Sequence, residues 1–211
     1  MRARGASRPE RRPFAARFTL PALLLTLLAA CAHVPPAPPA PAGSWSAQRE
    51  RLLAQRQFQF SGRLAVAANG EGFSGGIDWQ QRDGDSTMRL RGPLGGVALQ
   101  LQYDGRALQV QRSDGTALAG EQAAAVLREA LGFDAPLTSL AYWLRGCDDP
   151  ASAADTTLDE QQRLAALRQQ GWELRYDAYE RHGALWLPQR ITLQREAVRL
   201  KLLIQSWTLP G

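Results

Sequence analysis

One serine stands in a sequence context that could support nucleophilic catalysis. Gly72-Phe73-Ser74-Gly75-Gly76 matches the pattern G-x-S-x-G, in which a serine hydroxyl attacks an acyl carbon. That chemistry needs a sharp strand-to-helix turn and a histidine that accepts the hydroxyl proton. Ser74 lies instead in a run of alternating apolar and polar residues, and the one available histidine is His182. We therefore predict that Ser74 is an outward-facing strand residue and that the protein is not an enzyme.

The chain has few residues that could bind a metal ion or a cofactor. It contains two histidines and two cysteines, whereas a metal site needs a cluster of such ligands. The Asp148-Asp149 pair is predicted to lie solvated in a polar loop, and Cys147 to be a buried or half-buried thiol without a reactive role. Neither a phosphate-binding glycine loop nor a dinucleotide fingerprint is present. We predict no metal and no cofactor.

The basic charge of the chain is concentrated at its N-terminus. There are 25 Lys+Arg and 20 Asp+Glu, a net charge of +5. The first 30 residues contain six arginines and one glutamate, so residues 31–211 keep 19 basic and 19 acidic side chains. A neutral body without a basic run lacks the electrostatic signature of nucleic-acid binding, so we predict no nucleic-acid partner.

The first 30 residues have the pattern of an export signal. A basic segment precedes the 13 apolar residues Phe18 to Ala30, which as a helix reach ~20 Å, short of the ~30 Å bilayer core. The signal ends in Leu28-Ala29-Ala30-Cys31, which resembles the lipobox of bacterial lipoproteins. In lipobox proteins the cysteine thiol receives diacylglycerol, the signal is cleaved before the cysteine, and the new amine is acylated. We predict a lipoprotein signal peptide over residues 1–30 and lipidation of Cys31.

The residues after Cys31 predict an anchored protein on a spacer. Several acyl chains on one cysteine hold a protein stably on a membrane. Ala32, where enterobacterial inner-membrane lipoproteins tend to carry Asp, indicates the outer membrane, facing the periplasm. Residues 31–44 are rich in proline and form a predicted semi-rigid tether of ~35–40 Å. Residues 45–211 are then predicted to form a single domain.

The pattern of that domain indicates an antiparallel β-meander interrupted by helices. Runs of alternating apolar residues are separated by Asn69-Gly70, Asp83-Gly84 and similar turn dipeptides. Helical patterns occupy residues 45–57, 120–131 and 136–145, and residues 158–170 fit either a helix or a strand. A sheet of this length curls, and the two central helices can lie across its open side.

Small residues at predicted inward positions bear on what the curled sheet encloses. These positions are Gly62, Gly75, Gly92 and Ala107. Small side chains there would leave room for an apolar cavity, and ordinary packing against the helices accounts for them equally well. The fold class that the pattern predicts is mainly β with α, a curled antiparallel meander with helices across its open side.

An apolar residue occupies the tip of one predicted hairpin loop, Arg91-Gly92-Pro93-Leu94-Gly95-Gly96. Loop tips are usually polar, and Pro93 and Gly95 favour a tight turn that holds Leu94 in place. The residues alone leave two alternatives: Leu94 tucks back into the core, or it points into a partner or a membrane.

Taken in order along the mature chain, several segments resemble the LolB family of outer-membrane lipoprotein receptors. No single motif is specific, but the ordered set is, and Cys147 is a departure that we expect to be incidental. The segments are Phe60-Ser61-Gly62-Arg63-Leu64-Ala65-Val66, Asp78-Trp79, Pro93-Leu94-Gly95, Leu140-Ala141-Tyr142-Trp143-Leu144-Arg145-Gly146, Gln169-Gln170-Gly171-Trp172, Leu187-Pro188-Gln189-Arg190-Ile191 and Leu200-Lys201-Leu202-Leu203-Ile204 near Trp207.

The resemblance implies an unclosed barrel whose helices form a lid over an apolar cavity, with a strand within residues 158–170. It implies that the periplasmic carrier LolA delivers triacylated lipoprotein cargo, which this protein inserts into the lipid of the outer membrane. It also implies that Leu94, between Pro93 and Gly95, is exposed and acts in release. We expect a monomer.

Strand parity and helical face then select the cavity lining, because inward positions alternate along a strand and recur every turn of a helix. We predict that the lining includes Phe60, Leu64, Trp79, Leu90, Leu101, Leu127, Leu140 and Trp143. The alternative function is a periplasm-facing lipoprotein that binds a hydrophobic ligand or has a structural role, without transfer.

Overall fold

The structure is a computed structural model that describes residues 43–92 and 96–210. Predictions for the signal peptide, Cys31, the tether and Pro93-Leu94-Gly95 lie outside these residues. The helices are α1 (Trp45–Ala54), α2 (Gly120–Leu131) and α3 (Leu137–Trp143). The strands are β1 (Gln57–Ala68), β2 (Glu71–Arg82), β3 (Asp85–Arg91), β4 (Val97–Tyr103), β5 (Leu108–Arg112), β6 (Ala117–Ala119), β7 (Ala154–Leu158), β8 (Leu164–Gln169), β9 (Trp172–His182), β10 (Leu185–Arg195) and β11 (Val198–Thr208).

The strands form one antiparallel sheet in the order β6-β5-β4-β3-β2-β1-β11-β10-β9-β8-β7. The first and last strands pair in the middle, so β6 and β7 become the two edges. The chain between those edges carries α2 and α3. The predicted fold class, an unclosed antiparallel barrel with helices, is confirmed.

Turn chemistry fixes the register of the hairpins. Asn69 and Gly70 join β1 to β2, and both have positive φ values, 53° and 86°. A two-residue turn with two positive φ values matches the right-handed twist of the flanking strands. Phe60 therefore lies opposite Trp79, and Leu64 opposite Gly75. The alternation of β1 places Phe58, Phe60, Leu64 and Val66 in the core, as their parity predicts.

The three helices lie where the sequence pattern predicts them, with small differences at their ends. Ser44 caps α1 by accepting a 3.3 Å hydrogen bond from the backbone N–H of Ala47. The helix was predicted to reach residue 57, but α1 ends at Ala54 and Gln57 is the first residue of β1. The α2 boundaries are as predicted, and Gly132 ends the helix with φ 80°. The α3 helix is shorter than predicted because it ends at Trp143 in a tight turn, in which the N–H groups of Arg145 and Gly146 donate to the carbonyl oxygens three residues earlier. None of the helices in residues 43–92 and 96–210 is long and apolar enough to cross a membrane.

Residues 158–170 form a hairpin segment. Strand β8 covers residues 164–169 and pairs with β7 and β9, so the strand that the resemblance implies is confirmed. Asp159 organises the turn before it, because its carboxylate accepts hydrogen bonds from the backbone N–H groups of Gln161 and Arg163.

The small inward residues serve the sheet itself. A Cβ atom on Gly62 would collide with the carbonyl oxygen of Leu203, and one on Gly75 with that of Arg91. These two glycines therefore allow neighbouring strands to approach closely. Ala107 is exposed, and Gly92 is only half-buried. The idea that these four positions make room for a cavity was wrong.

Candidate functional site

An apolar cavity lies between the concave face of the sheet and the segment that contains α2 and α3. Its volume is about 60 Å³, and every side chain that lines it is apolar. From the sheet these are Leu64, Ile77, Trp79, Met88, Leu90, Leu101, Leu193, Leu200 and Leu202. From the helical segment they are Leu127, Leu131, Phe133, Ala135, Leu137, Leu140 and Leu144.

Six of the eight predicted lining residues surround this cavity: Leu64, Trp79, Leu90, Leu101, Leu127 and Leu140. Phe60 and Trp143 are buried outside the lining. Phe60 packs between Trp79 and Trp207, with ring centroids 6.2 and 5.2 Å away. Trp143 turns away because its indole N–H needs an acceptor, which an apolar cavity lacks. It donates a 2.7 Å hydrogen bond to the side-chain oxygen of Gln169.

The prediction omitted three kinds of lining residue. Strand parity was enough to identify Ile77, Met88 and the inward leucines of β10 and β11, and helical periodicity was enough to identify Leu131, Leu137 and Leu144. Phe133 and Ala135 lie in the loop between α2 and α3, where residues have no periodic pattern. Only the fold, which carries that loop across the open side of the sheet, brings them to the cavity.

The two lid helices are attached to the sheet in different ways. Helix α2 buries Ala123, Leu127 and Leu131, and packs against β5 and β6 at the edge of the sheet. Within the described part of the chain, its side chains make no hydrogen bond to the sheet; the ion pair of Arg128 with Asp134 is exposed. The apolar face alone therefore holds α2 down.

Helix α3 and the turn after it are fastened by buried polar contacts. The Ser139 hydroxyl donates a 2.7 Å hydrogen bond to Asp149. The phenol of Tyr176 donates to the carbonyl oxygen of Trp143, at 3.0 Å. Removing one partner of such a buried pair leaves an unsatisfied polar group, which costs free energy. We infer that α3 is the fixed part of the lid.

Asp148 and Asp149 are buried, with exposed fractions of 8% and 3%, so the expectation of a solvated pair was wrong. Asp148 accepts two hydrogen bonds from the guanidinium of Arg49, at 2.5 and 2.7 Å. This pairing raises the pKa of Arg49. Asp149 accepts from Ser139 and from the backbone N–H of Ala151, which satisfies its carboxylate. Both acids are structural, because each is committed to partners within the fold.

Cys147 is fully buried, as expected for an unreactive thiol. Burial raises its pKa from 9.0 to about 12, because the thiolate loses its hydration there. The thiol donates to the carbonyl oxygen of Tyr142 at 3.4 Å. Ser74 lies exposed in the middle of β2, outside any strand-to-helix turn. Within residues 43–92 and 96–210, no group of three His, Cys, Asp or Glu residues is placed to hold a metal ion.

Comparison with known proteins assigns the family. The sequence profile described as "Outer membrane lipoprotein LolB" matches residues 56–207. The chain belongs to the LolB family. The match spans all strands and helices except α1, so the cavity and both lid helices lie within the part that LolB proteins share.

Relatives agree over nearly the whole chain. The outer-membrane lipoprotein LolB of Pseudomonas aeruginosa is 32% identical over 195 residues, which cover 90% of this chain and 95% of the relative. The LolB of Stutzerimonas stutzeri is 32% identical over 188 residues, covering 87% and 91%. Like them, this LolB family member is a lipid-anchored protein of the outer membrane with a role in lipoprotein localisation.

Solved structures with the same fold have little sequence identity to this chain. A Vibrio parahaemolyticus domain, described provisionally as an outer membrane lipoprotein-sorting protein domain, has a TM-score of 0.51 at 6% identity and covers 79% of this chain and 91% of its own. A DUF1329 family protein from Desulfovibrio piger has a TM-score of 0.50 at 8% identity, covering 78% and 90%. At such identities the comparison shows a shared fold and nothing more.

Proposed function

We propose that this protein receives triacylated lipoproteins from the periplasmic carrier LolA and inserts them into the inner leaflet of the outer membrane. The observation that carries the proposal is the cavity beneath α2 and α3, whose lining is entirely apolar. Acyl chains that cross water expose methylene groups at ~0.8 kcal/mol each, so a protein that moves them must shelter them. The family role in lipoprotein localisation agrees with this.

The cavity is too small to hold an acyl chain unless part of the lid moves. Pockets that hold ligands usually measure at least ~300 Å³, whereas this one measures about 60 Å³. An acyl chain therefore requires part of the lid to move away. Helix α2 is the part that moves in our proposal, because within the described residues its side chains pack against the rest of the domain only through apolar residues, Ala123, Val126, Leu127 and Leu131. The acyl chain would then take the place of the α2 side chains against the sheet.

The remaining site residues have roles at the membrane. Cys31 carries the acyl anchor, and the Pro93-Leu94-Gly95 loop enters the bilayer surface when cargo is released. The cavity residues Leu64, Trp79, Leu90, Leu101, Leu127 and Leu140 contact the acyl chains, and Phe60 supports the ring of Trp79 from behind. No catalytic group takes part, because the cargo moves without a covalent step.

Transfer from loaded carrier tests the proposal. Purified LolA that holds a labelled lipoprotein is mixed with this protein and liposomes, and label is measured on carrier, receptor and vesicle. A Leu127→Gln variant should accept much less cargo, because a polar side chain then faces the acyl chain. Ala125→Gln, on the exposed side of the same helix, is the matched control and should behave as wild type. A protein that binds acyl chains but takes nothing from the carrier would favour the alternative, a hydrophobic-ligand-binding lipoprotein without transfer.

A further inference from the structure

The outer face of the sheet carries a group of cations that the transfer function does not use. Five exposed basic residues lie there on β1, β9, β10 and β11: Arg63, Arg175, Arg190, Arg199 and Lys201. None of them forms an ion pair with another residue of the described chain. The other side of these strands faces the core, so the cations lie on the surface away from the cavity.

The strand register places these cations in adjoining rows, because directly paired residues share one face of a sheet. In one row Arg63 pairs with Leu203, and Leu203 pairs with Arg190. Neighbouring strands are ~4.8 Å apart, so the two arginine α-carbons are separated by about 10 Å. In the next row Lys201 pairs with Thr192, which pairs with Arg175.

Acidic residues compensate little of this charge. Glu173 borders the group and is paired with Arg168 at 3.3 Å. Asp177 is exposed on β9 and takes part in no ion pair within the described residues. The group therefore keeps a net positive charge, although residues 31–211 carry equal numbers of acids and bases. A cationic face on a neutral body attracts an extended anionic surface.

One exposed apolar residue lies at the centre of these cations. Leu203 has 41% of its surface exposed, and only Val97 at 43% matches it among large apolar residues of the described chain. Val97 begins β4, directly after the loop that contains Leu94. Arg91 is the last residue of β3 before that loop. It pairs with Gly76 of β2, and Gly76 pairs in turn with Arg63 of β1. Arg91 forms a 3.0 Å ion pair with Asp78 and so adds no net charge, but its register shows that the row of Arg63 runs towards the hairpin whose loop is proposed to enter the membrane.

We propose that this outer face binds the anionic phospholipid headgroups of a bilayer. Arginine and lysine attract the phosphates, and Leu203 enters the headgroup region. The tether after Cys31 is long enough to leave the orientation of the domain undetermined, and this face would fix it, bringing the β3–β4 hairpin to the membrane. The proposal goes beyond cargo transfer, since it requires only that the domain lie near a bilayer.

Vesicle flotation of the mature chain with Cys31→Ala tests the proposal without an acyl anchor that would mask weaker binding. The protein is mixed with phosphatidylcholine vesicles, with or without about 30% phosphatidylglycerol. We expect binding to the anionic vesicles only, and weaker binding as salt rises, because exposed charges are screened. The double variant Arg63→Gln/Arg190→Gln should bind roughly 25-fold more weakly, at about fivefold per cation.

The matched control removes the same charge elsewhere. Arg51 on α1 and Arg106 in the β4–β5 turn are also exposed and form no ion pair within the described chain, so Arg51→Gln/Arg106→Gln should bind like wild type. An unchanged melting temperature shows that each variant is folded. Equal binding to neutral and anionic vesicles, or an equal loss in the control, would overturn the proposal. An absence of binding to both kinds of vesicle would also overturn the proposal, and would favour an acidic protein as the partner of this face.

Discussion

The guanidinium of Arg145 donates a 2.7 Å hydrogen bond to the carbonyl oxygen of Leu52, 93 residues away in the chain. It also donates to the carbonyl oxygens of Ala141 and Gln55, and lies 5.2 Å from the centre of the Phe58 ring. Burial lowers the pKa of Arg145. The end of α1 and the end of α3 thus share one buried cation, which holds the fixed side of the lid against β1.

Replacing Arg145 should be among the most destabilising single changes in the protein. Arg145→Met fills the space but leaves two buried carbonyl oxygens and one part-buried carbonyl oxygen without their donor, so we expect a loss of about 3 kcal/mol. Arg51→Met, on the exposed side of α1, is the control and should cost less than about 0.5 kcal/mol. Urea unfolding measures both. A loss in Arg145→Met no larger than in the control would contradict the role of this cation.

Much of the fold can be predicted from the sequence because its signals are local. Alternation identifies the strands, and the Asn69-Gly70 dipeptide sets both a turn and a register. Asp148 and Asp149 could not be predicted in the same way. Their partners, Arg49 and Ser139, come from two different helices, and no local pattern in the sequence connects these residues.

The cavity shows the same limit. Parity identifies which residues face inward, but it does not separate Leu64, which lines the cavity, from Phe60, which packs against Trp207. That distinction depends on where the lid helices cross the sheet. The loop residue Phe133 reaches the cavity for the same reason.

Helix α2 should open more readily than α3. Its attachment is an apolar face at the edge of the sheet, and its N-cap position is Ala119, which makes no side-chain cap. Among residues 43–92 and 96–210, opening therefore breaks no buried polar side-chain contact. Native-state hydrogen exchange should show the amides of Val126 to Leu131 exchanging about tenfold faster than the buried amides of β1. Amides of α3 that exchange as fast as those of α2 would contradict our view of the fixed and moving parts.

Cys147 should make the protein less stable at high pH. Its pKa is 9.0 in the unfolded chain and about 12 when buried, so the folded state holds the proton more tightly. The stabilisation that the buried neutral thiol contributes is present below pH 9.0 and is lost as pH rises towards 12, by on the order of 1 kcal/mol at pH 10. Tyr176 and Tyr179 also have raised pKa values, so the informative comparison is with Cys147→Ala, whose stability should fall less between pH 8 and pH 10.

Cys31 should be the sole point of lipid attachment. The prediction depends on the Leu28-Ala29-Ala30-Cys31 sequence behind a basic, short apolar segment. Cys31→Ala should abolish acylation and leave an uncleaved or soluble protein, which intact-mass analysis of membrane and soluble fractions would detect. The domain should still accept cargo, because the cavity and not the anchor holds the acyl chains. Wild-type protein with an unmodified Cys31 in the membrane would contradict the prediction.

Leu94 should matter for delivery and not for stability or cargo acceptance. A leucine that enters a bilayer interface gains ~1–2 kcal/mol, enough to favour the membrane-docked state from which cargo leaves. Leu94→Glu should therefore melt like wild type and take cargo from the carrier, yet fail to insert it into liposomes. Ala117→Glu, at an exposed position of the edge strand β6, is a control that adds the same charge away from the loop. If Leu94→Glu inserts cargo at the wild-type rate, or unfolds because Leu94 belongs to the core, the loop has no role in release.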